Sequence, residues 1–316
     1  MSRPRVVMLR PLGLGDLLTA VPAMRAIARY FADHEKTLAA PEPLAPLARQ
    51  SGAIDRVVDT QPLRELPADF RDTDVAVDLH GRGPASHRIL LAAHPGRLVA
   101  FANPDVPGTE GFPQWREDEH EVGRWCRMLS ESGIPADPGD LDLPPPREPA
   151  PRFAHGAVVI HPGAAYPARR WPAERWLTIV RAFAPDVVIT GGANERELAL
   201  SIGRTAQIDA ERIVAGQTDL LELAALVDAA RLVISTDTGI AHLATALRTP
   251  SVILFGPTSP AQWGPPVDRR WHRVLWKGMT GDPNAMAPDP GLLEIQPDEV
   301  LEAAASLMDA RYAVRT

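Results

Sequence analysis

The sequence predicts an α/β protein of two consecutive doubly wound units, each a parallel sheet covered by helices on both faces. Three observations carry this expectation. Short β-branched runs alternate with amphipathic stretches along most of the chain. The alternation breaks once, over 134–151, where eight of eighteen residues are proline or glycine. It then restarts over a similar length, so 316 residues divide into two domains of ordinary size.

In the first half, Arg5–Leu9 reads as a strand running into the turn Pro11-Leu12-Gly13-Leu14-Gly15. A helix is expected from about Asp16, with Leu17, Val21, Met24 and Ile27 on one face. Pro22 lies inside it and should weaken or kink it. Further strands are expected at 37–39, 56–58, 75–79 and 97–100, and a helix at 119–131. Proline restricts its own backbone and that of its predecessor, so the break is a semi-rigid linker. The expected limits are 1–134 for the first domain, 135–151 for the linker, 152–296 for the second domain and 297–316 for a closing helical segment. In the second half, strands are expected at 157–160, 187–190, 212–214, 232–235 and 251–255. The intervening helices are expected at 172–183, 195–204, 219–228 and 239–247, with a last one at 297–309. Two such units imply a cleft between them, where ligands usually bind.

Hydrophobic residues at 45% and charged residues at 23% are those of a globular chain. A net charge of −7 argues against a dedicated nucleic-acid binder. The single cysteine, Cys126, excludes an internal disulfide and a cysteine-rich zinc site, and packing is its expected role. No run approaches the length of a membrane span, and the apolar run at 6–9 is cut by Arg10 and Pro11 before it could serve as a signal peptide. A cytoplasmic protein is expected. Of 33 basic residues only Lys36 and Lys277 are lysines, the composition of a high-GC source.

Five loops could carry chemistry, each between a strand and a helix. In Ser235-Thr236-Asp237-Thr238-Gly239-Ile240-Ala241-His242 a strand ends and a helix opens, so the free backbone N–H groups of that helix start could meet a phosphate. Asp237 would repel a phosphate and is suited to a helix cap or to a sugar or ribose hydroxyl. The run from His161-Pro162-Gly163 to Arg169-Arg170-Trp171-Pro172 supplies cations for a diphosphate; two solvated arginines and a core tryptophan are the structural alternative. In Gly191-Gly192-Ala193-Asn194-Glu195, either Glu195 or Glu197 could grip ribose, or both could be a solvated helix start.

In the first domain, Gly13-Leu14-Gly15-Asp16 fails as a dinucleotide fingerprint because Leu18 stands at the third glycine position. What remains is a turn whose glycines, Gly13 and Gly15, allow close approach by a ligand, with a carboxylate at a helix start. Ionised Asp16 would suit a general base for a sugar hydroxyl, although an isolated Asp there usually only caps. The fifth loop, Asp78-Leu79-His80-Gly81-Arg82-Gly83 with His87 and Arg88, could bind an anionic acceptor through Arg82 and Arg88, or be merely solvated. No P-loop, nucleophile elbow or H-E-x-x-H is present. The Asp-x-Asp pairs at 72–74 and 140–142 lie away from strand ends, so no metal and no cofactor is expected.

In combination and order, these residues resemble glycosyltransferase family 9, the ADP-heptose:lipopolysaccharide heptosyltransferase-like enzymes. The resemblance rests on Leu9-Arg10-Pro11-Leu12-Gly13-Leu14-Gly15-Asp16 with Val21-Pro22-Ala23, Asp78-Leu79-His80-Gly81, His120-Glu121-Val122, His161-Pro162-Gly163, Arg170-Trp171-Pro172, and Asp237-Thr238-Gly239 with His242. It implies a GT-B fold of two Rossmann-like domains facing across a cleft, acceptor on the first and nucleotide sugar on the second, with inversion and no metal. By similarity Asp16 would be the base. Thr238 and Gly239 would meet the diphosphate beside Asp237 and His242. His161, Gly163, Arg169 and one of Glu195 and Glu197 would complete the donor site. Gly13, Gly15, His80, Arg82 and Arg88 would face the acceptor. The closing helix would return to the first domain. Arg169 stands where the family usually has lysine, which keeps the charge but changes its shape.

The expected partners are therefore a nucleotide-diphosphate sugar and a glycan, glycolipid or small-molecule acceptor, with no nucleic acid and no transmembrane segment; peripheral membrane contact stays open. Two rival readings stay open too, a nucleotide-sugar 2-epimerase on the same fold and a non-catalytic nucleotide-sugar binding protein.

Overall fold

The structure is a computed structural model that describes residues 3–314. The chain divides into two compact units, Met1–Pro144 and Pro145–Thr316, at a point inside the proline-rich segment. In chain order the first unit holds β1 (Arg5–Leu9), α1 (Leu14–Thr19), α2 (Val21–Tyr30), β2 (Glu35–Ala40), α3 (Ala45–Gln50), β3 (Arg56–Asp59), β4 (Val75–Asp78), α4 (Ala85–Leu91), β5 (Arg97–Val99) and α5 (Glu121–Glu131). The second holds β6 (Val158–His161), α6 (Ala173–Phe183), β7 (Val187–Ile189), α7 (Arg196–Thr205), α8 (Leu220–Ala229), β8 (Leu232–Thr236), α9 (Gly239–Ala246), β9 (Ser251–Leu254), α10 (Pro260–Trp263), β10 (His272–Leu275), α11 (Pro290–Glu294) and α12 (Pro297–Val314).

Both sheets are five-stranded and parallel throughout. The first runs β3-β2-β1-β4-β5 and the second β10-β9-β8-β6-β7. Strands covered on both faces must be apolar on both. Val6, Val7, Met8 and Leu9 of β1 and Leu232, Val233 and Ile234 of β8 are accordingly all buried. Each sheet reverses its winding once, between β1 and β4 in the first and between β6 and β8 in the second. The carboxyl ends of those strand pairs are where an open α/β sheet offers a crevice. All five candidate loops but one leave from them; the Gly191-Gly192 loop follows the neighbouring β7.

The expected first helix is two helices. Pro22 has no N–H for the carbonyl of Leu18, and the chain restarts at Val21 with proline in the first turn of α2, where the missing donor costs nothing. Leu17, Val21, Met24 and Ile27 are nevertheless all buried, so the apolar face survives the break. The strand expected at 212–214 is reduced to a single bridge, Ile189 to Ile213. Five elements were not foreseen: the short helices α3, α4, α10 and α11, and β10, whose His272-Arg273 pair hides an edge strand that needs only one apolar neighbour. Residues of the closing helix expected on the first domain bury Val300, Ala304 and Leu307 in the second unit's own core, with Trp171 and Trp176. Those two indoles meet edge to face at 5.1 Å.

Cys126 is buried on α5, and burial pushes its thiol up to about 12, so it packs and does not react. Asp140, from one Asp-x-Asp pair, ties the segment after α5 to α2 through Arg25 at 2.8 Å and Arg29 at 2.5 Å. No helix among the described residues is long and apolar enough to cross a membrane.

Candidate functional site

In the first unit, β1 ends on Leu9 and delivers Arg10 into the interior, where it is 1% exposed. Its guanidinium makes five contacts. Nε donates to the Asp16 carbonyl at 2.8 Å, Nη1 to the Leu79 carbonyl, and Nη2 to Thr19 Oγ1 at 3.3 Å and to Glu121 Oε1 at 2.9 Å. The same Nη2 stands 3.6 Å from Asp16 Oδ1. The fork also lies over the Trp125 ring, 4.8 Å from its centroid. Asp16 Oδ2 reaches back three residues to accept the Gly13 N–H at 3.2 Å, the half of a capping box that a glycine start allows. Each Asp16 oxygen thus has one fixed neighbour, while its side chain keeps 29% exposure. An oriented and still accessible carboxylate is what a general base requires.

His80 follows β4, with its backbone N–H on Asp78 Oδ1 at 2.9 Å. Burial lowers its imidazole below the usual value; Asp78 and Asp16 oppose that and Arg10 adds to it. It is therefore neutral near pH 7, and its buried Nδ1 makes no hydrogen bond to a described residue. His87 is different. It is fully buried between Asp78 Oδ2 at 2.7 Å and the Phe101 carbonyl at 2.8 Å, packed under Gly83, where a Cβ would meet Nδ1 at 2.7 Å. Arg82 pairs with Glu117 at 2.7 Å and Arg88 donates to the Asp105 carbonyl at 3.0 Å, both on exposed surface. Gly15, the second turn glycine, is half-buried in α1 one residue before Asp16. The structure thus gathers Gly13, Gly15 and Asp16 with His80, and engages Arg82 and Arg88 in loop contacts.

In the second unit, β6 ends on His161, hydrogen-bonded through Nδ1 to Thr190 Oγ1 at 3.0 Å, with Nε2 3.6 Å from Glu195 Oε2. Burial lowers the His161 imidazole, against the pull of Glu195, so it is neutral. Glu195 folds back over its own loop to accept the Gly192 N–H at 2.6 Å. Its carboxyl lies so close to Gly163 that a Cβ there would come within 2.1 Å of Glu195 Cδ, which explains the glycine. Glu197 is exposed in the first turn of α7. Of the two acids, Glu195 is the one grouped with His161 and Gly163.

β8 carries Ser235 and Thr236 to the neighbouring strand end and opens into Asp237-Thr238. Thr238 stands at the N-cap of α9 with extended backbone, but its side chain caps nothing; Oγ1 leans on the Thr236 carbonyl at 3.3 Å. Of the first-turn N–H groups, that of Ala241 donates to the Thr238 carbonyl at 3.0 Å, while those of Gly239 and Ile240 receive no side-chain cap and are left to a ligand or solvent. Asp237 is 5% exposed, with Oδ1 3.8 Å from His242 Nε2, and His242 stands edge-on to Trp263 at 6.0 Å. Arg169 extends to the same place, its Nη1 donating weakly to the Asp237 carbonyl at 3.4 Å. Its buried Nε, and the buried hydroxyls of Ser235 and Thr236, make no hydrogen bond to described residues. Arg170 instead turns back onto its own loop, to the Ala164 carbonyl at 2.9 Å. Sequence reasoning gave no individual role to Arg10, Glu121, Thr190 or Trp263. Arg10 and Glu121 stand 111 residues apart, and no local spacing joins them.

Comparison with known proteins bears on the family and the fold. Residues 105–280 match the family model described as glycosyltransferase family 9 (heptosyltransferase). Lipopolysaccharide heptosyltransferase 2 of Salmonella typhimurium is 32% identical over 165 residues, 46% of this chain and 45% of that protein. Lipopolysaccharide heptosyltransferase 3 of Escherichia coli is 34% identical over 130 residues, 40% and 37% of the two chains. The chain thus spans about half the length, or less, of the curated relatives it matches. Solved structures agree over nearly everything: E. coli ADP-heptose LPS heptosyltransferase II superposes with a TM-score of 0.75 at 21% identity, covering 98% of this chain and 99% of that one. E. coli heptosyltransferase WaaC with ADP gives 0.66 at 17% identity, covering 96% and 99%. At those identities the superpositions speak for the fold, the two-domain α/β fold called GT-B. The family model covers more than half of the residues, and on that match the chain belongs to glycosyltransferase family 9.

Proposed function

We propose that this chain transfers a sugar, heptose in the first instance, from a nucleoside diphosphate, ADP in the first instance, to the hydroxyl of a glycan acceptor. One observation carries the reading. The switch point of the first unit holds a fixed, accessible carboxylate, and that of the second holds an uncapped helix start beside Arg169. These are complementary halves of a displacement reaction. The names of the relatives supply the sugar and the base. A glycolipid or small-molecule acceptor fits the same chemistry.

The reaction is a single in-line step. As the acceptor oxygen bonds to the anomeric carbon, Asp16 takes its proton and the bond to the diphosphate oxygen breaks, inverting the centre. His80, neutral, offers a hydrogen bond to the acceptor, with Gly13 and Gly15 allowing its approach. The leaving diphosphate collects charge, which the N–H groups at Thr238 and Gly239 and the Arg169 guanidinium would meet. Glu195 is favoured over Glu197 for ribose, because it already lies with His161 and Gly163. Asp237 and His242 flank the sugar. This scheme assigns no step to a metal. A protein using an activated nucleotide sugar in this way belongs in the cytoplasm.

The test is incubation of the protein with ADP-heptose, with and without a panel of heptose-accepting glycans. Transfer products with inverted linkage support the reading, and activity that persists in EDTA supports the metal-free step. Isomerised sugar from donor alone would instead establish the epimerase reading. A thermal-shift screen of ADP-, UDP-, GDP- and dTDP-sugars fixes the base; saturation at about a hundred times Kd adds roughly 2.7 kcal/mol of stability. Donor binding without turnover over the whole panel would leave a binding protein.

A further inference from the structure

Two short pieces of the sequence, Arg10 after β1 and Glu121 at the start of α5, meet in the interior of the first unit. From this we infer that the buried pair Arg10–Glu121 is the positioning device that sets both the orientation and the basicity of Asp16. The inference rests on the assignment of Asp16 as the base and adds two residues to it.

The geometry is specific. Arg10 has no exposed side-chain surface, so it cannot touch a substrate and can act only through what it holds. It holds Asp16 twice, by the main-chain oxygen at 2.8 Å and by the carboxylate at 3.6 Å. The closer of its two carboxylate partners is Glu121 at 2.9 Å, not Asp16. Glu121 is itself buried, pinned by Arg124 and by the Trp125 indole N–H at 2.7 Å. Burial alone would push the Glu121 carboxyl up, but Arg10, Arg124 and Trp125 outweigh it and keep it ionised. The Arg10 charge is therefore divided between two acids. That division matters for a base. A carboxylate bound closely and alone by a guanidinium loses basicity, by about one to three pKa units. Tied mainly to Glu121, Arg10 can orient Asp16 without taking that much from it. The other titratable group facing Asp16 is His80, and it is neutral.

A merely structural pair would lower stability without altering how Asp16 titrates. The two roles separate in Glu121→Gln, which keeps the shape and an acceptor for Trp125 but removes the competing charge. Arg10 then turns its whole charge on Asp16. The Asp16 carboxyl carbon, followed by NMR in the full chain without substrates, titrates at a lower pH than in the wild type. In turnover assays the acidic limb of the pH–kcat profile moves the same way. kcat falls on the order of tenfold, the rate lost when basicity drops about one unit at this site, and donor KM is unchanged.

Arg10→Lys supplies the second variant, since a point charge cannot hold the Asp16 carbonyl, its carboxylate and Glu121 together. Its Asp16 titrates higher, and kcat falls on the order of a hundredfold from lost orientation. Should Glu121→Gln fold poorly, the Arg10→Lys titration decides. An Asp16 titration that is the same in wild type and both variants overturns the inference, whatever the rates do. The NMR readout needs no catalysis, so it stands apart from the base assignment, which fails on its own if Asp16→Asn still turns over.

Discussion

The two switch points solve opposite problems with the same topology. In the first unit the polar groups around Asp16 are engaged with one another: Gly13 N–H, Arg10, Glu121, Arg124 and Trp125 form one connected array. In the second unit Arg169 Nε, Ser235 Oγ and Thr236 Oγ1 are buried without a described partner, and α9 begins without a side-chain cap. An acid that must act has to be held before the substrate arrives, so the groups that hold it are bonded to one another, with His80 Nδ1 and Arg124 Nε left over among the described atoms around it. A site that must grip an anion keeps its donors uncommitted, at a cost of about 1–3 kcal/mol for each buried group left unsatisfied. The ordered array and the open donors are thus signs of different tasks.

The sharpest way to break this comparison is to remove the acid. Asp16→Asn keeps the Gly13 contact and the shape but cannot take a proton. Turnover is expected to fall on the order of a thousandfold, with donor affinity by calorimetry unchanged. Turnover close to wild type would dissolve the contrast. In the second unit the counterpart is Arg169→Ala. Its effect should be smaller, roughly a hundredfold in kcat, because the α9 start continues to meet the diphosphate. Thermal stability should hardly move, since among the described residues the side-chain hydrogen bond given up is the long one to the Asp237 carbonyl. A large loss of stability with normal turnover would make Arg169 a structural residue.

How much of this was legible beforehand depended on whether the signal was local. Strand β1, the turn at Gly13 and the opening at Thr238–Gly239 were readable because periodicity and turn chemistry act over a few residues. The split of the first helix at Pro22 was foreseen as a kink but not as a restart, which depends on whether a proline falls in a first turn. The division between Glu195 and Glu197 was invisible, because it rests on which acid folds back under Gly163. The Arg10–Glu121 pair was invisible for a stronger reason: its halves come from elements brought together only by the winding of the sheet. Arg82 and Arg88 were singled out as exposed cations after a strand, and such residues are as easily taken up by neighbouring loops.

Acid and base should separate the two units as well. His272 at the start of β10 is buried, and burial with Arg269 nearby pushes its imidazole down to about 3 from 6.5. Between those values the unfolded chain binds a proton that the folded chain does not. The stability is therefore complete above about pH 6.5 and is lost as pH falls, about 2 kcal/mol by pH 5. His87 in the first unit has the opposite sign. Burial would lower its imidazole, but the Asp78 carboxylate and the Phe101 carbonyl outweigh that and raise it. Its contribution is present below pH 6.5 and is lost as pH rises through the raised value. Peptide-resolved hydrogen exchange at pH 5, 7 and 9 should show β9 and β10 loosening in acid and β4 and α4 loosening in base. His272→Phe should abolish the acid effect alone. An acid response that persists in that variant would assign it to another group.

The smallest effect tests the idea of uncommitted donors at its root. Two helices of the second unit open in contrasting ways. At α8, Asp219 accepts the N–H groups of Leu221 and Glu222 at 2.8 Å each, and Glu222 returns the bond to the Asp219 N–H at 2.8 Å. At α9, the Thr238 side chain accepts nothing from the first turn, and only its carbonyl takes the Ala241 N–H at 3.0 Å. Asp219→Ala should therefore cost about 1 kcal/mol of stability and leave donor affinity alone. Thr238→Ala should cost less than about 0.5 kcal/mol, because the side chain it removes caps no N–H, and should still weaken donor binding several-fold through the lost hydroxyl. Urea unfolding and calorimetry on the two variants give the four values needed. If Thr238→Ala proved the more destabilising, the start of α9 would be an ordinary capped helix, and the case for an anion waiting there would lose its main support.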